Sequence, residues 1–233
     1  MTSLEQIEFI ADKFSKLPYD FAFLGGAILG VLITDPAAPP ARTTKDVDVL
    51  VNTPTRKSYT DLEAKLRKLG FKHDITEGAP ICRWRWGEIL LDVMPPTKDV
   101  LGWKSVWLSD ALNTALPLMP RKPFMRFVLA PYYLATKIEA FHGRGCDDFM
   151  GSQDMEDIVT LVNGRDTLFE EITHVPVALR SYLGLEFARF LKDSRFLDSL
   201  DGHLGFEESK QGRKASVLIR LHDLASYATA IQI

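Results

Sequence analysis

The sequence predicts an α/β (α+β) fold in which a mixed sheet with flanking helices is followed by an α-helical C-terminal half. Two observations lead to this prediction. Short apolar runs typical of strands, several with a two-residue alternation and separated by Gly and Pro, occur in the first half of the chain. After about residue 120 the patterns favour helices instead. We therefore predict an α/β domain over residues 1–120 and a helical domain over residues 121–233.

The composition is that of an ordinary globular protein. The 233 residues include 28 basic and 31 acidic side chains, for a net charge of −3, and 46% are hydrophobic. This balance excludes collagen-like, coiled-coil and low-complexity chains, and it argues against nucleic-acid binding through bulk charge. The longest apolar stretch, Phe21 to Ile33, is too short to span a bilayer, and Met1 to Glu8 carries no basic residue. We expect a cytoplasmic protein with no membrane partner.

The first elements are a helix, a strand and a glycine turn. Apolar residues at three- and four-residue spacing predict a helix over residues 3–16, with Ser3 as a candidate N-cap. A strand over residues 21–24, a turn at Gly25 and Gly26, and a helix over residues 27–33 follow. The prolines of residues 36–44 then predict an exposed loop.

A second strand carries two carboxylates. Valines at 47, 49 and 51 alternate with Asp46, Asp48 and Leu50, so the valines and the aspartates occupy opposite faces. A helix over residues 55–69 ends at Gly70, and two strands over residues 81–86 and 88–94 form a predicted hairpin.

The C-terminal half contains one helix face with two cations. Helices are predicted over residues 131–142, 152–162, 177–190 and 217–230. Lys137 and Arg144 lie seven residues apart and therefore share a face. Asp154 and Asp157 could orient them by ion pairs. The alternative is a solvated charged surface.

Three aspartates are the candidate catalytic residues. Asp46 and Asp48 project from the same strand face, and Asp92 lies in an apolar strand that could pair beside theirs. A carboxylate cluster is electrostatically costly unless cations neutralise it, and Mg²⁺ prefers oxygen ligands. The Gly25–Gly26 turn before a helix favours a phosphate. The alternatives are a plain tight turn and aspartates that cap loops.

Taken in order, these segments resemble a known family. Residues 24–26 (Leu-Gly-Gly), 42–49 (Arg-Thr-Thr-Lys-Asp-Val-Asp-Val) and 91–93 (Leu-Asp-Val) look like the DNA polymerase β nucleotidyltransferase superfamily. Residues 137–141, Arg144 and residues 152–158 look like the helical part of AbiEii/AbiGii toxin-type nucleotidyltransferases. The resemblance covers residues about 20 to 165 and implies a minimal nucleotidyltransferase fold, with the nucleotide between an α/β domain and a helical half.

The resemblance also implies residue roles. Asp46, Asp48 and Asp92 would be the catalytic residues and the ligands of Mg²⁺ or Mn²⁺, with Asp92 helping to deprotonate the acceptor hydroxyl. The nucleotide-binding residues would be Gly25, Gly26, Ala27, Lys45, Lys137, Arg144 and Asp157.

The implied reaction is transfer of a nucleoside monophosphate from an NTP, such as ATP, to a hydroxyl. The acceptor would be tRNA, a protein or a small molecule, and an antitoxin protein could be a partner. One position departs from the family, which usually has Ser or Thr after the glycines, where this chain has Ala27. The alternative is therefore a catalytically degenerate nucleotide-binding or interaction module of the same fold.

Overall fold

A mixed sheet organises the first half of the chain. The computed structural model describes residues 1–102, 105–117, 122–145, 147–204 and 210–231. Within these residues the sheet has seven strands in the order β3-β4-β5-β2-β1-β7-β6. The strands are β1 Phe21–Leu24, β2 Asp46–Val51, β3 Lys72–His73, β4 Arg83–Trp86, β5 Ile89–Met94, β6 Leu116–Pro117 and β7 Arg126–Phe127.

Helices alternate with the strands in the first half of the chain. After β7, the described elements are helical. Those of the first half are α1 Ser3–Phe14, α2 Leu29–Leu32, α3 Arg56–Lys68, α4 Lys98–Leu101 and α5 Leu108–Thr114. Those of the second half are α6 Ala130–Arg144, α7 Gln153–Gly164, α8 Leu168–Thr173, α9 Val177–Phe190, α10 Ser194–His203 and α11 Lys210–Ala225. Short 3₁₀ segments cover Gly26–Ile28 and Ser226–Ile231. The prediction of a mixed α/β fold with a helical C-terminal half is therefore confirmed.

The central strands set the register of the candidate site. Strands β1 and β2 pair antiparallel, with Leu24 opposite Asp48. Strands β2 and β5 pair parallel, with Asp48 opposite Asp92. Strand β4 pairs antiparallel with β5 and places Arg83 opposite Asp92. Residues that lie opposite each other in a sheet point to the same face, so these side chains share one face.

The described chain forms two compact units. The first contains Met1–Ile28 and Arg42–Leu129, and the second contains Leu29–Ala41 and Ala130–Ile233. The two units therefore divide at residues 129/130, nine residues beyond the expected boundary, and an N-terminal segment belongs to the second unit.

Hydrogen bonds explain both differences from the expected boundary. Strand β7 pairs with β1, which keeps the chain up to residue 129 in the sheet unit. In the second unit the amides of Thr34 and Asp35 donate to the Gly164 carbonyl, at 2.9 and 3.0 Å. Arg165 donates to the Leu32 carbonyl at 2.6 Å. These contacts tie residues 29–41 to the end of α7.

Helix ends follow local capping. Thr2, rather than Ser3, is the N-cap of α1 and forms a capping box with Glu5. Thr55 caps α3, and Ser152 caps α7. The helix expected over residues 27–33 begins as a 3₁₀ turn and becomes α-helical only at Leu29.

Among the described residues, no helix is long and apolar enough to cross a membrane.

Candidate active site

The Gly25 turn brings the backbone against a carboxylate. Gly25 follows β1 with a φ of +73°, a conformation that favours glycine. A Cβ at Gly25 would lie 1.8 Å from Oδ2 of Asp48. The absence of a side chain at Gly25 therefore lets the Asp48 carboxylate lie directly on the turn.

The three candidate catalytic aspartates lie on neighbouring strands of the sheet. Asp46 and Asp48 belong to β2, and Asp92 belongs to β5 in register with Asp48. Val47 and Val49 alternate with the aspartates and are fully buried, which leaves the aspartates on the opposite face. The predicted assembly of these three residues on one sheet face is observed.

Arg83 is bound to two of these aspartates. Its Nε donates to Asp92 Oδ1 at 2.7 Å, and its Nη2 donates to Asp92 Oδ2 at 2.7 Å. The same Nη2 also donates to Asp46 Oδ2. The hydrogen bond with Asp92 is the main cause that raises the pKa of Arg83 above its usual value. The guanidinium therefore bridges Asp46 and Asp92.

The carboxylates as they stand do not form an open metal site. Among the residues that the structure describes, no group of three or more His, Cys, Asp or Glu side chains is arranged to hold a metal ion. The donor chemistry nevertheless fits a hard divalent cation, because all three candidate ligands offer carboxylate oxygens. In the structure, the Arg83 guanidinium lies between Asp46 and Asp92, where it supplies the positive charge.

Residues before β2 lie over the second glycine. A Cβ at Gly26 would lie 3.2 Å from Nη2 of Arg42 and 3.5 Å from Oγ1 of Thr44. The Thr44 hydroxyl also donates to Asp46 Oδ1 at 2.9 Å. Ala27 is buried in the 3₁₀ segment, and Lys45 is exposed. A hydroxyl and a guanidinium therefore lie at the turn although residue 27 has no hydroxyl.

Cys82 neighbours this site without being a candidate nucleophile. Its thiol is buried, and burial, followed by the charges of Asp92 and Asp48, raises its pKa to about 12. A thiol with this pKa stays protonated near neutral pH and is unreactive. The other cysteine, Cys146, lies outside the described residues.

A second charged cluster lies within the helical unit. Lys137 on α6 is buried and forms ion pairs with Asp154 and Asp157 on α7, at 3.1 and 2.6 Å. Arg144 donates two hydrogen bonds to Asp154, at 2.8 and 2.9 Å. The orienting ion pairs expected from the sequence are therefore observed, and the alternative of a solvated charged face is wrong for Lys137.

Asp154 has a lowered pKa. Burial alone would raise it, but the hydrogen bonds from Arg144 and the charge of Lys137 outweigh burial and hold the pKa below its usual value. The carboxylate is therefore ionised near neutral pH. Lys137, Asp154 and Asp157 are buried, whereas the Arg144 side chain is 73% exposed and reaches Asp154 from the solvent side.

Arg83 is a site residue that the sequence pattern does not identify. Arg83 and Arg85 alternate with tryptophans along β4, and this alternation places both arginines on the same strand face without distinguishing them. Arg85 is exposed, whereas Arg83 is half-buried and paired. The missing signal was the antiparallel pairing of β4 with β5, which sets Arg83 opposite Asp92.

Comparisons with known proteins address the fold. No protein-family model matches the sequence, and no curated protein is significantly similar to it. The solved structure of an antigenic nucleotidyltransferase-like protein from Paracoccidioides brasiliensis is 21% identical, with a TM-score of 0.50 over 98% of this chain and 93% of that one. This chain has a nucleotidyltransferase-like fold. A candidate nucleotidyltransferase from H. pylori is 10% identical, with a TM-score of 0.47 over 99% of this chain and 96% of that one.

The nucleotidyltransferase-like fold agrees with the superfamily resemblance of the sequence motifs. Membership of the AbiEii/AbiGii toxin-type family stays a prediction. The same holds for the roles of Lys45, Lys137, Arg144 and Asp157 in nucleotide binding.

Replacing Gly25 with Ala tests the close approach of Asp48. We expect Gly25→Ala to lower the free energy of unfolding by more than the roughly 1–2 kcal/mol that a left-handed backbone costs an L-residue, because the new Cβ must also displace the Asp48 carboxylate. Gly78→Ala is the matched control, since Gly78 has a φ of +80° with open space around its Cβ position. Urea unfolding of both variants measures the difference, and equal losses would show that Asp48 does not depend on Gly25.

Proposed function

We propose that this chain is a nucleotidyltransferase that transfers a nucleoside monophosphate from an NTP to a hydroxyl acceptor, using Mg²⁺ or Mn²⁺. One observation carries the proposal. Asp46 and Asp48 of β2 lie beside Asp92 of the parallel neighbour β5, directly against the Gly25 turn, on a nucleotidyltransferase-like fold. This arrangement places anionic oxygens beside a glycine turn that leads into a helical segment.

Asp46, Asp48 and Asp92 are the residues that would hold the divalent cation. When bound, the cation would neutralise the triphosphate and the charge that develops in the transition state. All three ligands belong to strands of the sheet, and rigid strands favour a fixed geometry of the ligands.

The phosphates would be held at the glycine turn. Gly25 and Gly26 have no side chain that would keep a phosphate from the backbone. The Asp48 carboxylate lies against Gly25, and Arg42 and Thr44 lie over Gly26. A guanidinium binds phosphate oxygens through paired N–H donors. The Thr44 hydroxyl would add one more donor on leaving Asp46 Oδ1, to which it donates in the structure. Thr44 therefore offers the hydroxyl that Ala27 lacks, although from a different position in the chain.

The transfer itself requires a base and an in-line displacement. The carboxylate of Asp92 would take the proton of the acceptor hydroxyl. The acceptor oxygen would then form a bond to the α-phosphorus while the bond to the β-phosphate oxygen breaks, which releases pyrophosphate. Because both Asp92 oxygens accept hydrogen bonds from Arg83 in the structure, this role requires Arg83 to release at least one of them.

Finer features of the function follow from the sequence resemblance. The proposed acceptors are tRNA, a protein or a small molecule, with ATP as one candidate donor. A toxin-type protein of this kind would have an antitoxin partner and act in the cytoplasm. The proposed nucleotide-binding roles of Lys137, Arg144 and Asp157 rest on the same resemblance.

A second candidate is a nucleotide-binding or interaction module that does not catalyse transfer. Two observations favour it. Arg83 takes the place of a cation between two of the candidate ligands, and the buried Ala27 replaces the hydroxyl residue usual at that position. Such a module would bind nucleotide without depending on a divalent cation at the aspartates.

Calorimetric titration distinguishes the two candidates. Each NTP is titrated with and without Mg²⁺ into the wild-type protein, the Asp46→Ala/Asp48→Ala double variant and the control Asp61→Ala, which changes an exposed carboxylate on α3. For a transferase we expect Mg²⁺-dependent binding that is lost only in the double variant. Labelled NTP that binds in this way is then tested for transfer to tRNA, protein and small-molecule acceptors.

Two other results of the titration would contradict the transferase. Nucleotide binding that is independent of Mg²⁺ and unchanged in the double variant would support the non-catalytic module. Absence of binding to every NTP, by a protein that is folded by circular dichroism, would contradict the transferase and the nucleotide-binding module and would leave only the interaction module.

A further inference from the structure

Arg83 is held in its bridging position by the sheet. Its amide donates to the Pro80 carbonyl at 2.9 Å, and its carbonyl accepts from the Asp74 amide at 2.9 Å. Its side chain leaves the strand opposite Asp92 and is 19% exposed. Backbone and side chain are therefore both fixed, so the contact with the aspartates is a built feature of the sheet and not a chance surface ion pair.

The Arg83 guanidinium binds the carboxylate oxygens that a divalent cation would need as ligands. Both oxygens of Asp92 and one oxygen of Asp46 accept its hydrogen bonds. Paired hydrogen bonds between a guanidinium and a carboxylate are among the strong polar contacts of proteins. A guanidinium also stays protonated at any physiological pH, so it cannot leave these oxygens by losing its charge.

A divalent cation and the Arg83 guanidinium therefore compete for the same ligands. Mg²⁺ needs near-octahedral oxygen coordination at short distance, which the paired guanidinium blocks on Asp92. Two positive groups at the same oxygens would also repel each other.

We infer that Arg83 is a resident counter-ion of the carboxylate site, and that a divalent cation binds Asp46 and Asp92 only by displacing it. This inference rests on the proposed function for the identity of the cation. Its consequence is that the free protein binds the metal weakly, and that substrate phosphates, which bring further ligands for the metal, favour the displacement of Arg83. Metal binding and substrate binding are then coupled through one side chain.

The test is a titration with Mn²⁺ in the absence of nucleotide. The electron paramagnetic resonance signal of free Mn²⁺ measures how much of the ion is bound. The variants are Arg83→Gln and the matched control Arg85→Gln. Arg85 lies two residues further along β4, opposite Leu90, and is exposed. We expect Arg83→Gln to bind Mn²⁺ about tenfold or more tightly than wild type, because charge-assisted hydrogen bonds no longer oppose the metal. Arg85→Gln should bind like wild type.

Two outcomes would overturn the inference. Unchanged Mn²⁺ affinity in Arg83→Gln would mean that Arg83 does not compete, and weaker affinity would mean that Arg83 preorganises the ligands instead. Arg83→Lys keeps a positive charge but cannot form the paired hydrogen bonds, so we expect a smaller gain in the same direction. If Arg83→Gln fails to fold, as judged by circular dichroism and urea unfolding, Arg83→Lys replaces it as the test variant.

The transfer assay separates this inference from the proposed function. If Arg83→Gln gains Mn²⁺ affinity while the wild-type protein transfers no nucleotide to any acceptor, Arg83 competes with cations in a protein that is not a transferase. If the wild type transfers nucleotide and Arg83→Gln shows no gain in Mn²⁺ affinity, the proposed function holds and the inference fails.

Discussion

Replacing Asp48 with Asn should reduce nucleotidyl transfer by about a thousandfold or more while the protein stays folded. Asn preserves the shape that packs against Gly25, so the turn has no reason to move. It removes one negative charge from the sheet face that Asp48 shares with Asp92. An amide is a poorer ligand for a hard divalent cation than a carboxylate, and the charge that balances the cation is lost with it.

The measurement is the initial rate of transfer from a labelled NTP, with Asp61→Asn as the control. Asp61 is an exposed carboxylate on α3, and its replacement changes the net charge by the same amount. Equal urea midpoints for wild type and Asp48→Asn would confirm that the fold is intact. Transfer by Asp48→Asn at a rate near that of wild type would contradict the assignment of Asp48 as a metal ligand.

Replacing Asp154 with Asn should produce the largest loss of stability among these variants. Asp154 accepts hydrogen bonds from both Lys137 and Arg144, and its side chain is 5% exposed. The neutral amide leaves the buried Lys137 with Asp157 alone. Removal of one partner of a buried ion pair typically costs 3–5 kcal/mol, and we expect about 3 kcal/mol here because Asp157 remains.

The loss should depend on pH in a defined direction. The pKa of Asp154 lies below its ordinary value of 3.8 in the folded protein. Its contribution to stability is therefore complete above the unfolded value and is lost as the pH falls through the lowered folded value. The difference in unfolding free energy between wild type and Asp154→Asn should be constant near neutral pH and should narrow below about pH 4.

Urea unfolding between pH 7 and pH 3 measures this difference. Asp193→Asn is the matched control, because Asp193 pairs with Arg195 at the surface of the same unit and Asn can still cap α10. Exposed ion pairs contribute little, so its loss should be much smaller. If Asp154→Asn lost no more stability than this control at pH 7, the cluster around Lys137 would be open to solvent.

The sequence predicted the parts of the site that depend on local pattern. Alternation of Val47 and Val49 with Asp46 and Asp48 placed the carboxylates on one strand face, and the structure confirms that face. Spacing along α6 and α7 likewise indicated the ion pairs of Lys137 and Arg144, because helical periodicity fixes which residues are neighbours.

The sequence did not reveal the parts that depend on pairing between distant segments. The bridge from Arg83 requires the register of β4 on β5, and alternation along a single strand does not specify its partner. The approach of Arg42 and Thr44 to Gly26 depends on the path of a proline-rich loop, which has no periodicity to interpret. Short helices such as α4, and strands of two residues such as β3, carry too few residues for a pattern.

The assignment of residues 29–41 to the second unit has a consequence for synthesis of the chain. Because the chain is synthesised from its N-terminus, all residues of the first unit, through Leu129, emerge from the ribosome before Gly164 and Arg165. Gly164 and Arg165 are the residues that bind residues 32–35. During that interval the first unit can assemble its sheet while the segment between its two pieces lacks these partners from the end of α7. We expect the segment to stay outside the nascent sheet, because the prolines at 36, 39 and 40 cannot donate to a sheet ladder.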